Sequence, residues 1–230
     1  MGSASTRFHF DAALRRRGLT GAYSLLTGLD QTRADADAIA AHVDQVVRRV
    51  RAGLTAETIP SDPVLAGYRA LHKAFAVPTR KLFSAPETLI RFVEKRGDLP
   101  RILPLVDLYN AVSLETGLAL GAHDLGRIEG DVSLRLTTGT ERFQPVGALQ
   151  PEPVRAGEYA YIDDANEVLC RLEVRQVEKT KVTAATTDLF LIVQGNPATS
   201  DEQVIAGHDR LLDLLRHHFG GTPIALHRPG

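Results

Sequence analysis

An α+β fold with N-terminal helices and a mostly antiparallel sheet is predicted, on three observations. Helical periodicity dominates the first half of the chain. Runs rich in branched and aromatic residues dominate the second half. The two kinds of segment do not alternate, as they would in a doubly wound parallel sheet. The 230 residues, 43% of them hydrophobic, suffice to bury a core without disulfides or metal, and no Gly/Ser- or Pro-rich linker divides them. A single domain over residues 1–230 is expected.

Each element has its own signal. Residues 7–10 and 21–29 read as short strands. Between Asp35 and Arg51 the apolar positions Ile39, Val43, Val46 or Val47, and Val50 recur at helical spacing, with the arginines on the other side. Ser61-Asp62-Pro63 sets a capping residue before a proline, which opens a second helix running to about Phe75. Ser84 and Glu87 have capping-box spacing and open a third, through about Lys95. Leu105 to Glu115 reads as a fourth helix, ended by Gly117. Val132–Leu136, Glu158–Ile162, Val168–Val174 and Asp188–Val193 then read as strands. Ser200 to Gln203 is a further capping box, and the helix it opens ends near Gly220-Gly221.

The formal net charge of −1 hides an asymmetry: residues 1–101 carry a balance of +6 and residues 102–230 one of −7. Arg15-Arg16-Arg17, Arg48-Arg49 with Arg51, and Arg80-Lys81 are either solvated helix faces or phosphate-facing patches. The balanced total argues against a strong, sequence-blind nucleic-acid binder. The single Cys170 excludes an intramolecular disulfide and fits a reducing compartment. With no signal-peptide core and no apolar run near the ~20 residues of a membrane span, a cytoplasmic location and no membrane partner are expected.

Several chemistries lack their motifs. There is no G-x-G-x-x-G after a strand, no G-x-x-x-x-G-K-[ST], no G-x-S-x-G, no H-E-x-x-H and no C-x-x-C. His217-His218 diverge on a helix and read as a surface pair suited to its C-terminal dipole. Cys170 reads as a small buried hydrophobe within a strand. No metal or other cofactor is called for.

Polar information concentrates in two segments. In the first, Val106, Asn110, Ser113 and Gly117 share one helix face, followed by Gly121, which allows close backbone approach, and His123-Asp124. That face either lines a cavity or caps neighbouring loops. The second, from Cys170 to Thr187, begins as a strand and becomes a polar loop. There Arg175, Gln176, Glu178 and Thr180 supply donors, acceptors and one possible base, unless the stretch is only an exposed charged hairpin.

At these residues the chain resembles a known family. Val106-Asp107-Leu108-x-Asn110-x-Val112-x-Leu114-Glu115-x-Gly117, then Ala122-x-Asp124-Leu125, is similar to the pattern V-D-[IL]-T-N-Y-V-x-L-E-x-G-Q-P-M-H-A-F-D-L. That pattern marks the tRNA-editing region, the third and fourth domains, of the phenylalanyl-tRNA synthetase beta chain, which also has free-standing relatives. The match runs without a gap over twenty positions, and a looser similarity, including Arg175-Gln176 and Thr180, extends it to roughly residues 60–195.

The resemblance implies a pocket that receives the 3′ end of a mischarged tRNA and hydrolyses its aminoacyl ester. Carried over by position, the family's threonine is Tyr109 here, its histidine is Gly121, and its later glutamate falls near Glu178 or Lys179. Asn110 is retained, and His123 stands where the family has phenylalanine. Tyr109, bulkier than threonine, narrows the pocket towards a small amino acid. An aminoacyl ester is already activated, so a positioned water and a stabilised oxyanion suffice. Glu178 or His123 is the expected base, with Arg175 and Gln176 on phosphate or the carbonyl oxygen. Asn110 and Ser113 would read an amino or hydroxyl group, a task suited to misacylated Ser, Thr or Tyr. Two other readings stand beside this trans-editing deacylase: a non-catalytic tRNA- or RNA-binding module, and a small-molecule hydrolase or amino-acid-binding protein.

Overall fold

A computed structural model describes residues 6–55, 57–77 and 82–229. The chain opens with β1 (Phe8–Phe10), α1 (Ala12–Arg16) and β2 (Gly21–Thr27). Five helices follow: α2 (Ala36–Gly53), α3 (Thr58–Ser61), α4 (Pro63–Ala74), α5 (Ala85–Arg96) and α6 (Pro104–Thr116). Strands β3 (Ala119–Asp124), β4 (Val132–Leu136), β5 (Tyr159–Asp163), β6 (Val168–Arg171), β7 (Arg175–Gln176) and β8 (Leu189–Gln194) come next. Helix α7 (Asp201–Phe219) and strand β9 (Thr222–His227) complete the fold. No described helix is long and apolar enough to cross a membrane.

The strands form two sheets, one ordered β1-β4-β5-β6-β7 and one ordered β3-β8-β2-β9. Among the pairings of these described strands, β1–β4 is parallel and the others are antiparallel. Strand pleating explains how the layers stack, because successive side chains leave opposite faces. Ala22 and Leu26 of β2, with Leu189, Leu191 and Val193 of β8, pack against α2, α5, α6 and α7. Tyr23 and Leu25, with Phe190 and Ile192, pack instead against the five-stranded sheet. The four-stranded sheet is thus the middle of three layers. Every residue of β8 is buried, which is why that strand reads as an unbroken apolar run.

Helix termini follow the local signals. Asp35 Oδ1 accepts from Ala38 N at 2.9 Å, and Asp62 Oδ1 accepts from Leu65 N at 2.9 Å, with Pro63 in the first turn of α4. Gly117 ends α6 in the left-handed region at φ 72°, a conformation that favours glycine. The box of Ser200 and Gln203 is complete at α7.

Two expectations need correction, and four elements were not read from the sequence. Only the serine half of the Ser84–Glu87 box forms; Glu87 is instead buried between Arg69 and Arg91, at 2.9 and 2.7 Å. The Val168–Val174 strand breaks after Arg171, because Leu172 takes a left-handed φ of 56° and folds β7 back beside β6. Strand β3 was not foreseen: its Ala, Leu, Gly, Ala, His and Asp have little intrinsic strand preference, and pairing with β8 imposes the conformation. The short α1 and α3 and the exposed edge strand β9 went equally unread. Arg80-Lys81 lies outside the described residues.

Candidate active site

The two polar segments meet across one cleft of about 390 Å³, near the lower end of the usual small-molecule range. Helix α6 supplies Val106, Tyr109 and Asn110, strand β3 supplies Ala119 to Gly121, and the turn into β7 supplies Glu173 to Gln176. Gly121 matters for this closure. A Cβ built on it would lie 2.7 Å from Gln176 Nε2, so the amide occupies the space a side chain at 121 would need.

Of the residues singled out from sequence, Tyr109, Asn110, Gly121, Arg175 and Gln176 line the cleft. The Asn110 and Gln176 carboxamides and the Tyr109 hydroxyl make no hydrogen bond to protein among the described residues, so all three remain available to a ligand. Burial, with the Asp107 charge nearby, pushes the Tyr109 phenol up and keeps it neutral.

Four do not line it. Ser113 lies buried beneath α6 and donates to the Leu118 carbonyl at 2.6 Å, stapling the turn into β3. Thr180 is fully buried, its hydroxyl 2.8 Å from His123 Nδ1. His123 shares the Gly121 face of β3, two residues along and sealed under Thr180; desolvation draws its pKa down to about 3, so the ring is neutral. Glu178 is on the surface, held by Lys181 and accepting from Gly147 N at 3.1 Å, and those contacts hold its carboxyl below the ordinary range. The expected water-activating roles of Glu178 and His123 therefore have no geometric support. Burial under Thr180 keeps His123 from the cleft, and the direction of the loop keeps Glu178 from it; spacing along the chain reveals neither.

Neither of the two described arginine clusters lines the cleft. Arg15 and Arg17 sit over the rings of Phe10 and Phe75, Arg49 pairs with Glu115, and Arg51 donates to the Gly97 carbonyl. At its mouth are Arg175, 2.6 Å from Glu152, and Lys181.

The cleft's buried acid went unrecognised in the sequence. Glu173 was not singled out within the strand-to-loop stretch; following the turn at Leu172, its side chain is 2% exposed. Its carboxylate takes His72 Nε2 at 2.5 Å, the Tyr159 hydroxyl, and Gln194 Nε2 at 3.3 Å. Tyr161, which also lines the cleft, donates to Gln194 Oε1 at 2.6 Å. Burial alone would pull His72 down; the charge and hydrogen bond of Glu173, with Glu87 and Glu158 beyond, raise its pKa above the ordinary histidine value. Cys170 lines the same floor. Its thiol points at the Leu172 carbonyl, and burial and the Glu173 charge keep it protonated.

Comparison with known proteins places the chain. The family profile of the B3/4 domain matches residues 73–220, well over half of the sequence. The chain belongs to the B3/4 domain family. Over 97 residues, 42% of this chain, it is 32% identical to the phenylalanine–tRNA ligase beta subunit of Methylococcus capsulatus. The chain covers only 12% of the length of that subunit. Its fold matches the crystal structure of an N-terminal fragment of the phenylalanyl-tRNA synthetase beta-subunit from Pyrococcus horikoshii, with a TM-score of 0.56 and 14% identity. That match covers 96% of this chain and 51% of the fragment, and shows that the two share an α+β fold.

Proposed function

We propose that this B3/4 protein is an aminoacyl-tRNA deacylase, which hydrolyses the ester between a wrong amino acid and the 3′ end of a tRNA. The observation that carries the reading is the meeting of Tyr109 and Asn110 with Arg175 and Gln176 around one cleft, with three polar groups left unpartnered. Its supporting context is the similarity to a tRNA ligase subunit.

The chemistry asked of the protein is modest. Water adds to the ester carbonyl, the tetrahedral intermediate collapses, and the ribose oxygen leaves with a proton, giving free amino acid and tRNA. Neither Glu178 nor His123 reaches the cleft, so the vicinal ribose hydroxyl of the substrate orients the water. The protein contributes position and charge stabilisation: Gln176 Nε2 donates to the developing oxyanion, and Asn110 fixes the aminoacyl group. Arg175 and Lys181 at the mouth face the nucleotide phosphate.

The test is a panel of radiolabelled mischarged tRNAs, including Ser, Thr and Tyr as the attached amino acid. At least one member is expected to lose label faster than its spontaneous rate, and Asn110→Ala or Gln176→Ala to slow that release about tenfold or more. Binding of tRNA without release of label from any member refutes the hydrolytic reading.

A further inference from the structure

The charges of the cleft are segregated. Its cations stand at the mouth, where the side chains of Arg175 and Lys181 are 39% and 46% exposed and each is held by its own carboxylate, Glu152 or Glu178. Its acid lies at the floor, where the Glu173 side chain is 2% exposed. Between them the walls are largely aliphatic, including Val106, Val182 and Ile192.

The Glu173 carboxyl is ringed by hydrogen-bond donors. Its three partners, His72, Tyr159 and Gln194, all present N–H or O–H groups to it. Three donors leave room for a fourth on a group with about four lone-pair directions. The backbone holds it there at a cost: Leu172, fully buried, adopts a positive φ that a bulky side chain rarely takes, and the turn it makes aims the next residue at the cleft. A surface or purely packing role would need neither the strain nor the opening onto the cleft.

We infer that Glu173 is a receptor for the free α-ammonium of the substrate, so that the cleft takes aminoacyl esters with an unblocked amine and rejects N-acylated ones. The ligand this matches carries phosphate at one end and ammonium at the other, in the order mouth to floor, as an aminoacyl nucleotide does. This rests on the deacylase reading above. Glu173 touches the substrate but moves no proton in the hydrolysis; what it contributes is an anchor placing the carbonyl beside Gln176.

The experiment compares an aminoacyl-tRNA that the protein deacylates with its N-acetylated counterpart, on the native protein and on Glu173→Gln. Native protein is expected to prefer the free amine by about 10- to 100-fold in kcat/KM, the range of one charge-assisted hydrogen bond. Glu173→Gln should process the two substrates at similar, low rates. A merely structural Glu173 would slow both in proportion and keep their ratio, and that result overturns the inference. So does equal hydrolysis of both substrates by the native protein, a comparison that needs no variant to fold. Glu173→Asp, which keeps the charge one methylene further back, is expected to retain part of the preference. If the native protein deacylates no member of the panel, the underlying reading fails and this one fails with it; equal rates on both substrates sink this one alone.

Discussion

Replacing Gly121 by alanine sets one methyl group 2.7 Å from Gln176 Nε2, closer than carbon and nitrogen tolerate, so the amide must move. Only the far end of a flexible side chain has to yield, and Gly121 is outside the left-handed region, so the backbone accepts alanine. Glycine inside a strand is also less stable than alanine by about 0.5–1 kcal/mol. The net effect on folding is expected to be within about 1 kcal/mol of zero, measured by urea denaturation. Activity should behave differently. If Gln176 stabilises the oxyanion, displacing it costs about 100-fold in deacylation rate, by analogy with removal of a single oxyanion donor. The double-mutant cycle makes the argument specific: in a Gln176→Ala background the amide is already gone, and Gly121→Ala should then slow deacylation less than about twofold. A full additional loss in that background, or an unchanged rate in the single variant, refutes the claim that Gly121 acts by admitting Gln176.

Three further outcomes are expected. Tyr109→Phe removes a hydroxyl that has no protein partner among the described residues, so the midpoint of unfolding should shift by less than about 0.5 kcal/mol while the amino-acid preference in the label-release panel changes. Glu87→Ala leaves Arg69 and Arg91 facing an empty buried site; as both arginines are partly exposed, the loss should be about 3 kcal/mol, the lower end for a broken buried pair, read from the urea midpoint. His123 has a folded pKa depressed from 6.5 to about 3, so its contribution is complete above pH 6.5 and is lost as pH falls towards 3, where the unfolded chain takes up the proton first. His123→Phe should therefore flatten the acid limb of the stability–pH curve between those values; an unchanged limb would show that His123 does not titrate as its burial requires.

Much of this fold was readable because helices and caps are local. Asp35, Asp62 and Ser200 bind backbone groups within three residues, and α2 shows its buried face as a spacing along the chain. The strands with branched and aromatic residues were readable for the same reason. Strand β3 was not, since small residues there are held extended by β8, a segment some seventy positions away. The candidate site divides in the same way. The helical face that bears Asn110, and the stretch that bears Arg175 and Gln176, stood out as unusual polarity in apolar surroundings. Their meeting depends on β7 crossing to β3 at Gly121.

From its sequence alone, then, this protein reads as an α+β chain with most of its helices in the first half and one near the end, capped where the capping residues stand, and with a helix stripe that resembles that of a tRNA ligase subunit. Tertiary structure decided which polar groups share a cavity. It buried His123 under Thr180, left Glu178 on the surface beside Lys181, and set Glu173 at the floor of the cleft. The reason is that a side chain's direction follows from backbone angles and from what packs on it. One positive φ, at Leu172, sets the turn that precedes Glu173.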